Sequence, residues 1–244
     1  MDWTKAKSIL ILALVVTNLV LIATYFFQNE RFEDDEKEMQ DVTIKLLEEK
    51  NIFVEIDIPD EHPRMGKLTV QYDNMNEDVI EQQLADQIAL PDSDLTDKKL
   101  ISMTTDFIEK CDLMTENVTF ERMERIGKDI LVIYKNYINE IAIEDSIIIC
   151  TIRAGKITEF ERYWLNPVEV NDIEKEIISA DTALIKFMSE NTAGEKIYVH
   201  DIDLVYWLDS SAFNTESPVT DTAFPAWKIT YNRGKTQYIL AWEQ

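Results

Sequence analysis

The sequence contains few of the residues on which catalytic and phosphate-binding sites depend. Its 244 residues include only five glycines and two histidines. So few glycines argue against the glycine-rich loops that hold phosphate groups. His62 lies in a predicted turn and His200 in a predicted strand, and no nucleophile-elbow pattern surrounds a serine. We therefore expect no catalytic residue, no cofactor and no metal site, and we predict that the protein is not an enzyme.

Basic side chains are also scarce. Apart from Lys5, Lys7 and Asp2, the chain has 22 Lys and Arg against 46 Asp and Glu, which gives residues 28–244 a net charge of −24. A surface with this charge repels nucleic acid and anionic lipid headgroups. Nucleic acid is therefore not expected as a partner.

Charged residues are absent from residues 9–27. As a helix, this segment would rise about 28 Å, close to the hydrocarbon thickness of about 30 Å. No small-residue cleavage site follows it, so we predict an uncleaved transmembrane anchor rather than a signal peptide. Lys5 and Lys7 favour a cytoplasmic head over residues 1–8. The predicted localisation is the cell membrane, with a single pass and residues 28–244 outside.

Two cysteines, Cys111 and Cys150, fall in the predicted extracytoplasmic part. We favour two buried free thiols, because free cysteine is commonly a core residue. A disulfide remains the alternative, since the compartment permits one and the sequence does not fix the distance between them.

The remaining pattern predicts an α+β fold. Residues 28–92 are expected to form a stalk helix, at about 33–50, and a small α/β unit. The apolar residues that predict these helices recur at helical spacing. They are Met39, Val42, Leu46 and Leu47 in the stalk helix and Ile80, Leu84 and Ile88 in the next one.

Two later units, 93–168 and 169–244, each predict one helix packed on an antiparallel meander. In the first unit, Leu100, Met103, Phe107 and Cys111 line one helix face. Its strands are predicted at about 117–125, 129–137, 145–153 and 156–165. In the second unit, Ser179 caps a helix whose inward face is Ala183, Leu184, Phe187 and Met188. Its strands are predicted at about 196–208, 225–232 and 236–243, and a polar loop covers 210–222.

Aromatic residues cluster towards the end of the chain. The cluster comprises Tyr163, Trp164, Tyr206, Trp207, Phe224, Trp227, Tyr231, Tyr238 and Trp242. Most of these rings are expected to fill the space between helix and strands. Because Trp and other large aromatic residues are favoured anchors at interfaces, Trp207 and Phe224 are predicted to bind a partner.

Asn18 is the unusual residue of the predicted anchor. An amide that faces lipid lacks partners, whereas one that faces another helix can form a hydrogen bond. Ala13, Thr17, Val20 and Thr24 form a neighbouring stripe of small to medium-sized residues. We predict a helix–helix contact through Asn18, Ala13, Thr17 and Thr24. The alternative is tolerated polarity or a bond to a local carbonyl.

Three short segments resemble the YycI family of membrane-anchored two-component regulators. The first nine residues, MDWTKAKSI, are similar to the cytoplasmic head of that family, and a single anchor follows. The segments ERYWL at 161–165 and AFPAWKI at 223–229 resemble the ends of its two repeated units. The unit of one helix and a meander that ends in a strand–glycine–strand hairpin is similar to the broader PepSY-type module.

The resemblance implies a function and a set of partners. It implies a non-enzymatic regulator that binds a sensor histidine kinase, YycG (also called WalK), through the transmembrane helix. It also implies a contact between the ectodomain and a related anchored protein, YycH, in the control of cell-wall metabolism in Gram-positive bacteria. The alternative is an anchored PepSY-type inhibitor or chaperone of an extracellular peptidase or cell-wall hydrolase.

Overall fold

The computed structural model describes residues 13–22, 39–60, 63–73, 75–91, 95–171, 173–191, 194–208 and 220–242. After an N-terminal helical segment (13–22), the helices are α1 (39–49), α2 (Glu77–Ala85), α3 (Asp97–Lys110) and α4 (Ala180–Glu190). The first strands are β1 (Ile52–Val54), β2 (Arg64–Met65), β3 (Leu68–Tyr72), β4 (Val118–Ile126), β5 (Asp129–Ile138) and β6 (Ile141–Arg153). The others are β7 (Lys156–Tyr163), β8 (Leu165–Val170), β9 (Lys175–Glu176), β10 (Ile197–Trp207), β11 (Thr220–Tyr231) and β12 (Lys235–Leu240).

Ten strands join in one sheet, in the order β4-β5-β6-β10-β11-β3-β8, with β7 beside β6, β12 beside β11 and β1 beside β10. Strands β4 to β7 pair antiparallel in sequence order, and so do β10 to β12. The predicted α+β class and the two antiparallel meanders are therefore confirmed. Strands β2 and β9 form a separate two-stranded ribbon.

The two units are joined by pairings that adjacent positions in the sequence do not predict. Strand β10 pairs parallel with β6 at two positions and parallel with β1 at three. Strand β3 pairs with β11 and β8. The strands of residues 28–92 therefore pair with strands of the later units, in the large sheet or in the ribbon.

Two hydrophobic clusters hold the helices on the sheet. Helix α3 contributes Leu100, Phe107 and Ile108 to one cluster, in which they meet residues of β5, β6 and β7. Helix α4 contributes Leu184 and Phe187 to the other, which also contains buried residues of β10, β11 and β12. The predicted inward faces of both helices are confirmed, and burial of these large side chains supplies about 1.5–3 kcal/mol for each of them.

Helix α1 contacts the core through a different face from the one that its apolar pattern predicts. Leu47 and Thr43 are buried, whereas Met39 and Val42 are 60% and 59% exposed. Residues four apart share a helix face, so the buried face is the 43–47 face. Leu46 joins the exposed side, and residues 33–38 of the predicted stalk helix lie outside the described residues.

Helix α2 ends earlier than the sequence predicts, and Ile88 is 90% exposed. The cause is Gln87, whose side chain bonds to the edge of β7. Its amide nitrogen donates to the Ile157 carbonyl (3.1 Å), and its amide oxygen accepts from the Ile157 N–H (2.8 Å). This exchange holds the chain against the hairpin and excludes Ile88 from the helix.

Ser179 occupies the N-cap position of α4, as predicted, but its hydroxyl bonds to the hydroxyl of Thr182 at 2.9 Å rather than to a backbone N–H. Cys111 and Cys150 are free and buried in the α3 cluster, which agrees with the favoured interpretation of two free thiols. Burial raises the pKa of both thiols.

The predicted anchor is only partly described. Its residues 13–22 are helical, and the remainder, including Thr24, lies outside the described residues. Within the part of the chain that the structure describes, no helix is both long enough and apolar enough to span a bilayer.

Candidate functional site

One side of the sheet packs against α3 and α4, and neither of these two helices lies on the other side. Successive residues of a strand point to opposite faces. On β5, Tyr134 bonds to Thr104 of α3 at 2.7 Å, so Lys135 points away from α3. On β11, Trp227 and Ile229 lie in the α4 cluster, so Lys228 points away from α4. Lys135 of the first unit and Lys228 of the second unit therefore lie on the same side of the sheet, opposite α3 and α4. We call this the helix-free side.

A single carboxylate bonds to both of these lysines and so connects the two units. Glu144 of β6 accepts from the Lys135 ammonium at 2.6 Å and from the Lys228 ammonium at 2.7 Å. The Tyr238 hydroxyl also donates to it, at 3.1 Å. We call Lys135, Glu144, Trp207, Lys228 and Tyr238 the helix-free face.

The Glu144 cluster is largely buried. The Lys135 and Glu144 side chains are 7% and 11% exposed, and that of Lys228 is 18% exposed. Burial alone would raise the pKa of Glu144, but the bonds to Lys135 and Lys228 outweigh it and hold the pKa below its usual value. Glu144 is therefore ionised at neutral pH, and its bonds to Lys135 and Lys228 link the two meanders.

An aromatic pair lies beside this cluster. The Trp207 ring stacks on the Tyr238 ring, with centroids 5.1 Å apart and planes within 8°. Because Tyr238 also bonds to Glu144, the orientation of Trp207 is linked to the charge cluster. The Trp207 ring is partly buried and stays partly accessible on the helix-free face.

Phe224 pairs with Trp207 in the β10–β11 register. Its ring lies 4.7 Å from the Lys67 ammonium, within the range of a cation–π contact. The structure thus brings the two predicted ectodomain residues together as cross-strand neighbours, and both remain partly exposed. Trp164, Tyr206 and Trp227 are buried, as expected for the aromatic residues that fill the core.

A second group of charges lies further along β10. Asp201 and Asp203 are neighbours on one face of the strand. Burial of its carboxyl and the negative charge of Asp201 raise the pKa of Asp203 to about 6, although Lys228 and Lys135 act in the opposite direction. This carboxyl therefore titrates closer to neutral pH than an ordinary aspartate.

Of the four predicted contact residues of the N-terminal segment, Ala13, Thr17 and Asn18 lie on one described helix, and Thr24 lies outside the described residues. The Thr17 hydroxyl donates to the Ala13 carbonyl at 2.9 Å. This bond satisfies the hydroxyl within its own helix, which is the alternative considered for a polar residue of this segment.

The sequence does not predict the Glu144 cluster. Its members lie on β5, β6, β11 and β12, and no local spacing connects them. The available signal was a charged residue inside an apolar strand, such as Lys135 in LVIYKNYI or Glu144 in IAIEDSII. Such residues are seldom buried unless they are paired.

No catalytic constellation stands out on this face. Among the described residues, no group of three or more His, Cys, Asp and Glu side chains is arranged to hold a metal ion. His200 lies on an exposed strand position, with its Nδ1 atom 2.9 Å from a Glu55 oxygen. The fold and this face define a mixed α+β domain in which a largely buried charge cluster lies beside partly accessible aromatic rings.

Comparison with known proteins gives the family. A family model described as YycI protein matches residues 32–241, and the chain therefore belongs to the YycI family, a family of regulatory proteins. No curated protein matches the sequence. Among solved structures, the Bacillus megaterium YpeB C-terminal domain is similar, with a TM-score of 0.37 and 11% sequence identity. The match covers 64% of this chain and 64% of that one.

Proposed function

We propose that this protein is a membrane-anchored, non-enzymatic regulator of a sensor histidine kinase. It would act together with an anchored YycH-like protein in the control of cell-wall metabolism. The observation that carries the proposal is membership of the YycI family over residues 32–241, nearly the whole predicted ectodomain. The helix-free face supports it, because a fixed charge cluster beside an accessible aromatic pair is suited to protein binding.

The proposed topology has residues 1–8 in the cytoplasm and residues 28–244 outside the cell. It rests on the uncharged run at 9–27 and on the two lysines that precede it. Protease added to intact spheroplasts should degrade the ectodomain and leave an N-terminal epitope tag protected. A mature protein whose N-terminus lies near Gln28 would contradict the uncleaved anchor.

The kinase contact is assigned to the anchor, through Asn18. A hydrogen bond between helices in a membrane contributes about 0.6–2 kcal/mol, enough to change a weak association severalfold. We therefore expect Asn18→Leu to weaken association with the transmembrane helices of the kinase severalfold. A bacterial two-hybrid assay with the full chain and the full kinase measures this effect.

Val16→Leu is the matched control for this experiment, because it changes a residue about 200° around the helix from Asn18. Leucine at position 18 favours insertion, so a lower signal cannot be attributed to a missing protein. If Asn18→Leu associates as well as the parent and the Val16→Leu control, the anchor contact does not depend on Asn18.

The contact with the YycH-like protein is assigned to the ectodomain, through Trp207 and Phe224.

Replacement of the anchor separates kinase regulation from the alternative function, an anchored inhibitor or chaperone of a peptidase or cell-wall hydrolase. A kinase regulator should fail when the anchor is replaced by an unrelated one. An inhibitor should still act as a soluble ectodomain, because its contacts would lie outside the membrane.

A further inference from the structure

Strand β10 has an edge that is paired at both ends but not in the middle. On this edge, β1 pairs with β10 as far as Val199, and β6 pairs with it from Val205. No strand of the described residues pairs with the edge between those two positions. Unpaired backbone N–H and C=O groups at a sheet edge can bind another extended chain.

A cleft of about 540 Å³ lies along this gap in the sheet. Its volume falls within the range of about 300–1,000 Å³ that is usual for ligand sites. The apolar part of its lining comes from both units and from the β2–β9 ribbon. It includes Met65, Ile141, Val170, Ile202, Leu204 and Tyr206. Such a lining suits aliphatic side chains that alternate along an extended segment.

The rim of the cleft is acidic. Glu140 and Glu174 line it, and Arg64 is the basic residue among the lining residues. Asp203 also lines it, but its carboxylate lies on the helix-free side beside Lys228 and is not part of the rim. The Arg64 guanidinium donates to the backbone oxygen of Glu174 at 3.0 Å, so this bond leaves the Glu174 carboxylate available. Burial and the charge of Glu174 raise the pKa of Tyr206 inside the cleft. The Glu174 carboxylate therefore lies close to Tyr206 in the cleft, and its negative charge favours the binding of a basic group.

The turn between β5 and β6 forms one lip of the cleft. Its two residues, Asn139 and Glu140, have φ values of +48° and +67°. A two-residue turn of this type needs positive φ at both positions and usually has glycine at the second. A glutamate held there at a conformational cost places a carboxylate at the rim, and strain of this kind is concentrated at functional sites.

We propose that this cleft binds an extended, positively charged segment of a partner protein, which pairs with the free edge of β10 and places a Lys or Arg side chain at the Glu140–Glu174 rim. The proposal rests on the proposed function as a protein-binding regulator, and it adds a second surface to the helix-free face. The aliphatic stem of a lysine can lie on the apolar lining while its ammonium reaches the rim.

The experiment uses the full chain in detergent micelles and a short fluorescent peptide of alternating Val and Lys, with fluorescence anisotropy at physiological salt. We expect saturable binding of this peptide, and no saturable binding of its Val and Glu counterpart. N-methylation of alternate amides should weaken binding about tenfold, because each lost backbone hydrogen bond is worth about 0.5–1.5 kcal/mol.

The double variant Glu140→Gln, Glu174→Gln should weaken binding of the Val and Lys peptide about fivefold, as expected for two exposed charges. The matched control is Glu159→Gln, Glu161→Gln, which removes the same charge from exposed positions of β7. Thermal melts should show that both variants fold.

Absence of binding would overturn the proposal. Equal losses in the two double variants, or unchanged binding after N-methylation, would also overturn it, because the peptide would then respond only to the overall charge of the protein. These outcomes concern the cleft alone. Failure of the proposed kinase regulation would instead appear in the two-hybrid assay, which does not involve the peptide.

Discussion

Glu144→Gln is expected to lower the free energy of unfolding by about 3–5 kcal/mol. The change keeps the shape of the side chain and removes the charge that compensates Lys135 and Lys228. Lys135 cannot reach solvent easily, since its side chain is only 7% exposed. Removing one partner of a buried ion pair leaves an uncompensated charge, for which a cost of this size is typical. Urea denaturation of residues 31–244 measures it.

Two further variants identify the cause. Lys228→Met should cost less than Glu144→Gln, because Glu144 keeps Lys135 and Tyr238 as partners. The double variant Lys135→Met, Glu144→Leu removes the buried pair altogether and should be more stable than Glu144→Gln alone. If the double variant is the less stable one, packing around Glu144 rather than charge compensation determines the loss.

The pH dependence provides an independent check. The pKa of Glu144 is lowered in the folded protein. Its contribution to stability is therefore fully present above the unfolded value of about 4.3 and disappears as the pH falls through the folded value. The stability difference between the parent and Glu144→Gln should accordingly be constant near neutral pH and shrink in acid. A difference that grows in acid would contradict the assignment.

Local patterns in the sequence predict the elements of the two meanders. Alternating apolar residues and short turns predict β4 to β7 within a few residues, because both signals lie inside each hairpin. The inward faces of α3 and α4 are predicted for the same reason: one helical period contains the information. The α+β class follows from these elements without any knowledge of distant contacts.

Long-range pairing could not be predicted in this way. The parallel contact between β10 and β6 joins residues more than sixty positions apart, and only two residue pairs define it. The buried face of helix α1 could not be predicted either, because two of its faces carry apolar residues. The face with Leu47 is buried because it packs with residues of β1 and α4. A periodicity shows that a face is apolar but does not show whether a partner covers it.

The candidate site had the same difficulty. Residue type alone predicts Trp207 and Phe224 as partner-binding residues, because large aromatic residues are common at interfaces. Glu144, Lys135 and Lys228 were not found, because charged residues in a sequence are usually solvated and their pairing depends on the register of three strands. Register is a property of the whole sheet, so the cluster became visible only in the structure.

The second large effect is expected for Gly155→Ala. The β6–β7 hairpin and the β11–β12 hairpin each have a glycine directly before their second strand, Gly155 and Gly234, with φ values of +73° and +79°. An alanine in this conformation costs about 1–2 kcal/mol at either position. At Gly155, however, the new Cβ atom would lie 2.1 Å from the Leu90 carbonyl oxygen, whereas at Gly234 no atom lies within 4 Å.

Gly155→Ala should therefore lower the free energy of unfolding by about 1–3 kcal/mol more than Gly234→Ala, as expected for a forced movement of packed backbone. The backbone cannot yield cheaply, because the Leu90 N–H donates to the Gly155 carbonyl at 2.9 Å and Gln87 holds the same segment on Ile157. Hydrogen exchange should also show faster exchange of the Leu90 and Ile157 amides in Gly155→Ala, with no such change in Gly234→Ala. Equal losses of stability in the two variants would mean that backbone conformation alone determines the effect and that the 87–90 segment is not held against the hairpin.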